Sequence, residues 1–188
     1  MTFLSAVIRP LYGTLFLARF KNVGFRYLGS SIPEFWQSFS AAAIILPFFI
    51  VLVIIRFDNL GIPDGFLRYL GLDLCSYTLS WLIFPLLMIK LTQFLDCEKH
   101  FIKFLIAYNW SMVPQNILYI LIILLGSNNI ISNTITTKLV FLLLIWSFAF
   151  TWFVIREVLM VTSIKAIAIV IINFLLNLIV EAAINLRY

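Results

Sequence analysis

The stretch that decides the fold runs from Phe39 to Ile55 and reads FSAAAIILPFFIVLVII. It contains no charged residue, and as a helix rising ~1.5 Å per residue it covers most of a hydrocarbon core ~30 Å thick. Four more apolar stretches follow, and the predicted spans are 39–55, 74–95, 104–125, 139–155 and 164–184. The sequence therefore predicts an all-α protein: a polytopic membrane bundle of five transmembrane helices at 39–188.

The composition agrees with a membrane protein. Hydrophobic residues make up 63% of the chain, charged residues 11%, and the mean hydropathy is +1.10. Soluble domains have about 45–50% apolar and about 25% charged residues. A chain this apolar needs lipid as a solvent, so the lipid bilayer is its first predicted partner.

The first 38 residues are predicted to form a cytoplasmic or interfacial segment that begins with an amphipathic helix. Five apolar residues recur at helical spacing and are expected to share one face: Phe3, Leu4, Val7, Leu11 and Leu15. Four basic residues of the segment are expected to bind anionic headgroups at the membrane surface: Arg9, Arg19, Lys21 and Arg26.

The distribution of basic residues predicts the orientation. Of the 13 lysines and arginines, four precede the first span, three surround the connection between spans two and three, and two surround the connection between spans four and five. Short cytoplasmic loops retain positive charge. We therefore expect a cytoplasmic N-terminus and an outside C-terminus. The net charge of +5 then reflects topology, and nucleic acid is not an expected partner.

Polar residues inside the spans are the candidate functional residues. They form one predicted intramembrane polar cluster: Tyr108, Asn109, Ser111, Gln115 and Asn116 in the third span, and Asn173, Asn177 and Glu181 in the fifth. Polar groups in hydrocarbon are costly unless they are paired, so both sets should face the bundle interior. Interhelical hydrogen bonds between the two spans are the favoured interpretation. The alternative is a polar path with Glu181 as a proton or cation acceptor near its outer mouth.

Signs of catalysis are few. The single histidine, His100, stands near Asp96, Cys97 and Glu98, and a solvated loop explains this group better than a metal site does. Gly-x-Ser-x-Gly, phosphate-binding and His-Glu-x-x-His motifs do not occur in the sequence. We expect no enzymatic activity, no metal and no cofactor.

Two resemblances rest on short segments and on architecture. Leu11-Tyr12-Gly13 matches part of an Asp-Leu-Tyr-Gly-Pro signature but lacks its aspartate and proline, and with five spans the chain resembles the Yip family. Further segments look like a small uncharacterised family of alphaproteobacterial multi-pass membrane proteins: Gly24-Phe25, Phe35-Trp36-Gln37-Ser38-Phe39, Trp81 to Pro85, and Ala107-Tyr108-Asn109-Trp110-Ser111. The second resemblance implies a bacterial inner membrane, and a chain rich in Ile, Phe and Asn also suits an organelle inner membrane. Neither carries over a functional residue.

Two functions follow as hypotheses. The favoured one is a non-enzymatic scaffold, accessory subunit of a membrane complex or membrane organiser, which would contact other membrane proteins or further copies of itself. The alternative is a small permease or permease subunit, with a polar path lined by the third and fifth spans.

Overall fold

The computed structural model describes residues 3–60 and 65–185, and the described part consists of helices and their connections. The seven α-helices are α1 Phe3–Leu17, α2 Ile32–Ser38, α3 Ser40–Leu60, α4 Phe66–Phe94, α5 Phe101–Ser127, α6 Asn133–Leu159 and α7 Ser163–Asn185. Two 3-10 turns connect them, at Asn22–Tyr27 and Glu98–His100. The C-terminal residues 186–188, which include the last basic residue of the chain, Arg187, lie outside the described part.

Five helical stretches are long and apolar enough to cross a membrane. They are Ile32–Asp58, Phe66–Phe94, Glu98–Ser127, Asn133–Leu159 and Ser163–Ala183. This confirms the predicted all-α, five-span membrane bundle. The helices extend beyond the predicted spans because helix formation continues through polar residues that lower the hydropathy; α4, for example, includes Arg68 and Asp73.

Four helices are followed, within three positions of their last residue, by a non-glycine residue with left-handed backbone geometry. Phe20, Asp96, Asn129 and Met160 have φ between 55° and 57°. At the end of α4, the Cys97 amide donates a hydrogen bond to the Thr92 carbonyl oxygen over 2.9 Å, the pattern of a Schellman motif. This geometry stops each helix sharply, so the connections between spans stay short.

The first half of α5 forms the centre of the bundle. Every residue from Phe104 to Ser111 is buried, with α1, α2, α3, α4 and α6 packed around α5. Phe84 of α4 contacts two aromatic rings there, with centroids 6.2 Å from Phe104 and 4.8 Å from Tyr108. Aromatic packing of this kind contributes beyond the area it buries.

The N-terminal segment, residues 3–38, packs on this bundle. Trp146 Nε1 of α6 donates a hydrogen bond to the Ala18 carbonyl oxygen over 3.3 Å. Two glycines let α1 and the first 3-10 turn touch: a Cβ at Gly24 would lie 2.5 Å from the Gly13 carbonyl oxygen and 2.6 Å from Leu17 Cγ. Leu17 is fully buried beneath that contact.

The buried face of α1 differs from the predicted one. Val7 and Leu11 pack against the core as expected, but Leu15 is 57% exposed. The side chains of Phe3 and Leu4 lie outside the described residues. The difference arises because the 3-10 turn covers the side of α1 that carries Gly13, which turns Leu15 away from the protein.

One end of the bundle carries the connections 95–100 and 160–162, and we call it the basic end. Burial raises the pKa of the Cys97 thiol there, and the positive charge of nearby Lys165 opposes this rise, so the two connections are neighbours. Asn22 Nδ2 donates a hydrogen bond to Glu157 Oε2 over 3.1 Å, which attaches the N-terminal segment to the same end.

Candidate functional site

A cavity of about 350 Å³ lies between α4, α5, α6 and α7. Polar side chains come from all four helices, while six aromatic rings and two aliphatic side chains complete the wall. The lining residues are Phe49, Ser76, Tyr77, Ser80, Trp81, Tyr108, Met112, Gln115, Asn116, Ser147, Phe148, Thr151, Val170, Asn173, Phe174 and Asn177. None of these carries a formal charge.

The cavity lies at the middle of the membrane-crossing helices. Ser80 is the central residue of α4, and Gln115, Ser147 and Asn173 are each one residue from the centres of α5, α6 and α7. In a bundle that crosses a bilayer, these positions are furthest from water on both sides. A polar cavity at this depth is costly to form and therefore points to a function.

Five of the eight predicted polar residues line this cavity: Tyr108, Gln115, Asn116, Asn173 and Asn177. The structure thus brings together polar residues of the third and fifth spans, and it adds the second and fourth spans to the same site.

Asn109 and Ser111 lie elsewhere, in the packed interior. Asn109 is fully buried, and its Nδ2 donates a hydrogen bond to Ser38 Oγ over 2.8 Å. Asn109 Oδ1 is buried and has no partner among the described residues. Ser111 Oγ donates to the Tyr108 carbonyl oxygen over 2.7 Å, so it serves its own helix.

Glu181 is exposed and does not line the cavity. It follows Asn177 by four residues, so it shares that face of α7 but lies nearer the end of the helix. The lining residues include no carboxylate, which leaves the cavity without a group for proton or cation exchange of the kind expected for Glu181.

One hydrogen bond joins the third and fifth spans at the cavity wall. Tyr108 Oη donates to Asn173 Oδ1 over 3.2 Å, and Asn177 Nδ2 donates to the same oxygen over 3.2 Å. The predicted interhelical contact between these spans is therefore present. The remaining amides of the cavity bond within their own helices.

These intrahelical bonds use the side-chain amide nitrogens and leave the side-chain amide oxygens without a partner. Gln115 Nε2 donates to the Ser111 carbonyl oxygen over 3.0 Å, and Asn116 Nδ2 donates to the Met112 carbonyl oxygen over 2.9 Å. Asn177 Nδ2 donates to the Asn173 carbonyl oxygen over 2.8 Å. A carbonyl only accepts, so the side-chain oxygens of Gln115, Asn116 and Asn177 stay available to a bound molecule.

Sequence reasoning missed four hydroxyl groups of the site. Ser76, Ser80, Ser147 and Thr151 line the cavity and form no hydrogen bond with another described residue. Their spacing contained the signal: α4 and α6 each place two of these hydroxyls four positions apart, as α7 does with Asn173 and Asn177, and such pairs share a face. Serine and threonine lower the local hydropathy too little to stand out in an apolar span.

The four basic residues predicted to bind the membrane surface are all exposed. All four belong to the N-terminal segment. Arg9 Nη2 donates a hydrogen bond to the Arg26 carbonyl oxygen over 3.4 Å. Residues 3–60 and 65–185 contain no group of three or more histidine, cysteine or acidic side chains positioned to hold a metal ion.

Segments that carried the second resemblance meet in the interior. Ser38 bonds Asn109, and Phe84 contacts Tyr108, so the N-terminal segment, α4 and α5 join at one place. Comparison with known proteins adds no identity: the chain matches no family model, no curated protein and no solved structure.

Proposed function

We propose that this multi-pass membrane protein is not an enzyme and works as a small permease or permease subunit that binds an uncharged polar molecule in mid-bilayer. The observation that carries this proposal is the 350 Å³ cavity, lined by polar groups from four helices at their centres. Transporters place their substrate sites near the bilayer midplane, between helices.

Interhelical bonding accounts for only part of the cavity's polarity. The bond between Tyr108 and Asn173 holds two helices together, but the hydroxyls of Ser80 and Ser147 and the amide oxygen of Gln115 have no described partner. Unpaired polar groups at mid-bilayer favour a site filled by water or by a hydrogen-bonding ligand. The uncharged lining favours a ligand without net charge, because an ion there would lack a counter-charge.

Stopped-flow light scattering of proteoliposomes tests the proposal with glycerol, urea and erythritol as probes. We expect the protein to speed vesicle swelling for at least one probe, and Ser147→Leu to abolish the gain by filling the cavity without removing a described hydrogen bond. Leu142→Phe is the matched control, because Leu142 is 60% exposed on the same helix and lies outside the cavity. Swelling at the protein-free rate for every probe would contradict permeation.

A role as a scaffold or accessory subunit is the second candidate, and exposed apolar residues at the basic end favour it. Phe94, Met160 and Ile164 are 82%, 76% and 80% exposed, and they lie where helices end. Other membrane proteins, or further copies of this chain, would cover them. Native mass in mild detergent tests this: a larger assembly that dissociates in a Phe94→Ser, Ile164→Ser variant supports it, and an unchanged monomer contradicts it.

The location that fits both candidates is a bacterial inner membrane or an organelle inner membrane, with the N-terminus in the cytoplasm. The exposed arginines and lysine of the N-terminal segment support this orientation, since they would meet anionic headgroups on the inner leaflet. Membership of a Yip-like family remains a proposal that rests on the five spans and the Leu11-Tyr12-Gly13 segment.

A further inference from the structure

A second cavity of about 380 Å³ forms an apolar groove between α6 and α7. We call it the α6/α7 groove, and its lining residues are Phe148, Ala149, Trp152, Ile167, Val170, Ile171 and Phe174. All are apolar apart from the indole N–H of Trp152. Ile167 and Ile171 are 50% and 51% exposed, so the groove opens on the outer surface of the two helices, which faces lipid in a bilayer.

The α6/α7 groove and the polar cavity share a wall. Phe148, Val170 and Phe174 line both of them. The rings of Phe148 and Phe174 meet edge to face, with centroids 5.1 Å apart. These two rings therefore stand between the lipid-facing groove and the polar cavity, so a group that passes from one space to the other has to displace them.

We propose that the polar cavity receives its ligand sideways from the bilayer, through the α6/α7 groove, and that this ligand is an uncharged lipid with hydroxyl or carbonyl groups. The hydrocarbon chain lies in the groove and the polar group enters the cavity. This inference rests on the proposed function, because it takes the polar cavity as the binding site and names the class of molecule that the site accepts.

The chemistry of the two spaces matches the two parts of such a lipid. The groove offers almost only carbon, which suits a hydrocarbon chain. The cavity offers amide oxygens at Gln115 and Asn177 that accept hydrogen bonds from a hydroxyl group, and serine hydroxyls that bond either a hydroxyl or a carbonyl. A phosphate headgroup fits poorly, because none of the lining residues is cationic and a charge at mid-bilayer depth is costly.

Photo-crosslinking of the full chain in phosphatidylcholine vesicles tests the inference. The probe is a diacylglycerol with a diazirine and an alkyne in one acyl chain. We expect crosslinks concentrated on the peptides of α6 and α7 that line the groove, and a loss of at least fivefold in Ala149→Phe, which fills the groove. Leu142→Phe, equally large but outside the groove on α6, should keep the wild-type yield.

Competition by unlabelled lipids distinguishes binding of an uncharged lipid from general contact with the bilayer. Excess dioctanoylglycerol should reduce crosslinking at least fivefold, while phosphatidylglycerol of the same chain length should leave it unchanged. Equal competition by the anionic lipid would overturn the proposal for an uncharged ligand. Crosslinks spread evenly over all five spans, with equal yield in both variants, would show ordinary lipid contact and overturn lateral entry.

The outcome also distinguishes this inference from the proposed function. If Ala149→Phe misfolds, which its elution profile and circular dichroism would show, Ile171→Trp fills the same groove from an exposed position on α7. If the wild-type protein shows no groove-specific crosslinking but still speeds solute-driven swelling, lateral entry is refuted and permeation stands. Absence of swelling together with groove-specific crosslinking would refute permeation and keep the lipid site.

Discussion

The hydrogen bond between Tyr108 and Asn173 can be measured with a double-mutant cycle, using Tyr108→Phe, Asn173→Leu and the double variant. Tyr108 Oη donates to Asn173 Oδ1 over 3.2 Å, and Asn177 Nδ2 donates to the same oxygen. The two substitutions should therefore differ in cost, because they leave different groups without a partner.

Removing the Tyr108 hydroxyl leaves Asn173 Oδ1 bonded to Asn177. Tyr108→Phe should then cost only the bond itself, ~0.6 kcal/mol for an interhelical hydrogen bond in a membrane and up to ~1.7. Asn173→Leu removes the acceptor and leaves the Tyr108 hydroxyl unpaired, with Tyr108 only 4% exposed. A buried unpaired polar group costs about 1–3 kcal/mol, so Asn173→Leu should be the more destabilising variant.

The assay is equilibrium unfolding in mixed micelles with increasing SDS, followed by circular dichroism. We expect a coupling free energy of at least ~0.6–1.7 kcal/mol. Once Asn173 is leucine, Tyr108→Phe should cost nothing or stabilise the protein, because it then removes an unpaired hydroxyl. Tyr77→Phe is the control, because Tyr77 lines the same cavity but its Oη donates to the Ala42 carbonyl oxygen over 2.6 Å and not to Asn173. Additive effects of Tyr108→Phe and Asn173→Leu would refute the interhelical bond and the asymmetry argued from it.

Three further predictions test the N-terminal segment, the helix ends and the orientation. Gly24→Ala should destabilise the packing of the first 3-10 turn on α1 by about 1–3 kcal/mol and speed proteolysis there, because the new Cβ would lie 2.5 Å from the Gly13 carbonyl oxygen. Gly71→Ala, with open space around that position, should leave proteolysis unchanged. Equal proteolysis in both variants would contradict the packing. Met160→Gly should stabilise the protein by about 0.5–1 kcal/mol in SDS unfolding, because Met160 has φ of 55°, and a destabilised variant would count against that backbone geometry. In a Cys75→Ser, Cys97→Ser background, an impermeant maleimide added to intact cells should label Asn128→Cys and spare Val23→Cys, and the reverse pattern would overturn the orientation.

The membrane bundle was predictable from sequence because lipid imposes a simple rule. Each span needs enough apolar residues to cross the hydrocarbon core, and Phe39–Ile55 meets that need almost without polar interruption. The helix ends were less predictable, because hydropathy falls near Asp73 while the backbone of α4 stays helical from Phe66. Hydrogen bonding within the helix, and not hydropathy, determines where α4 begins.

The candidate site was predictable in part, for a related reason. Asparagine and glutamine are rare enough in apolar spans to mark Gln115, Asn116 and Asn173 as interior residues. Which helices face each other depends on packing at the level of whole helices, which no single span encodes. The polar residues alone therefore predicted contact between the third and fifth spans. In the structure α5 packs chiefly on α3 and α6, and α7 packs chiefly on α6 and α4.

Pro114 links the shape of α5 to the chemistry of the cavity. Proline has no N–H, so the helix loses one backbone donor at that position. The next two residues, Gln115 and Asn116, donate their side-chain nitrogens to backbone carbonyls of the preceding turn, at Ser111 and Met112. The carbonyl that would have bonded the missing N–H belongs to Trp110, so these two bonds are additional to it, and they fix both amides by their nitrogens. Their oxygens are the atoms left over, and both residues line the cavity. Around Pro114, the same two side chains therefore bond backbone carbonyls of α5 and give the polar cavity its acceptors, so a structural and a functional explanation of this polarity apply together.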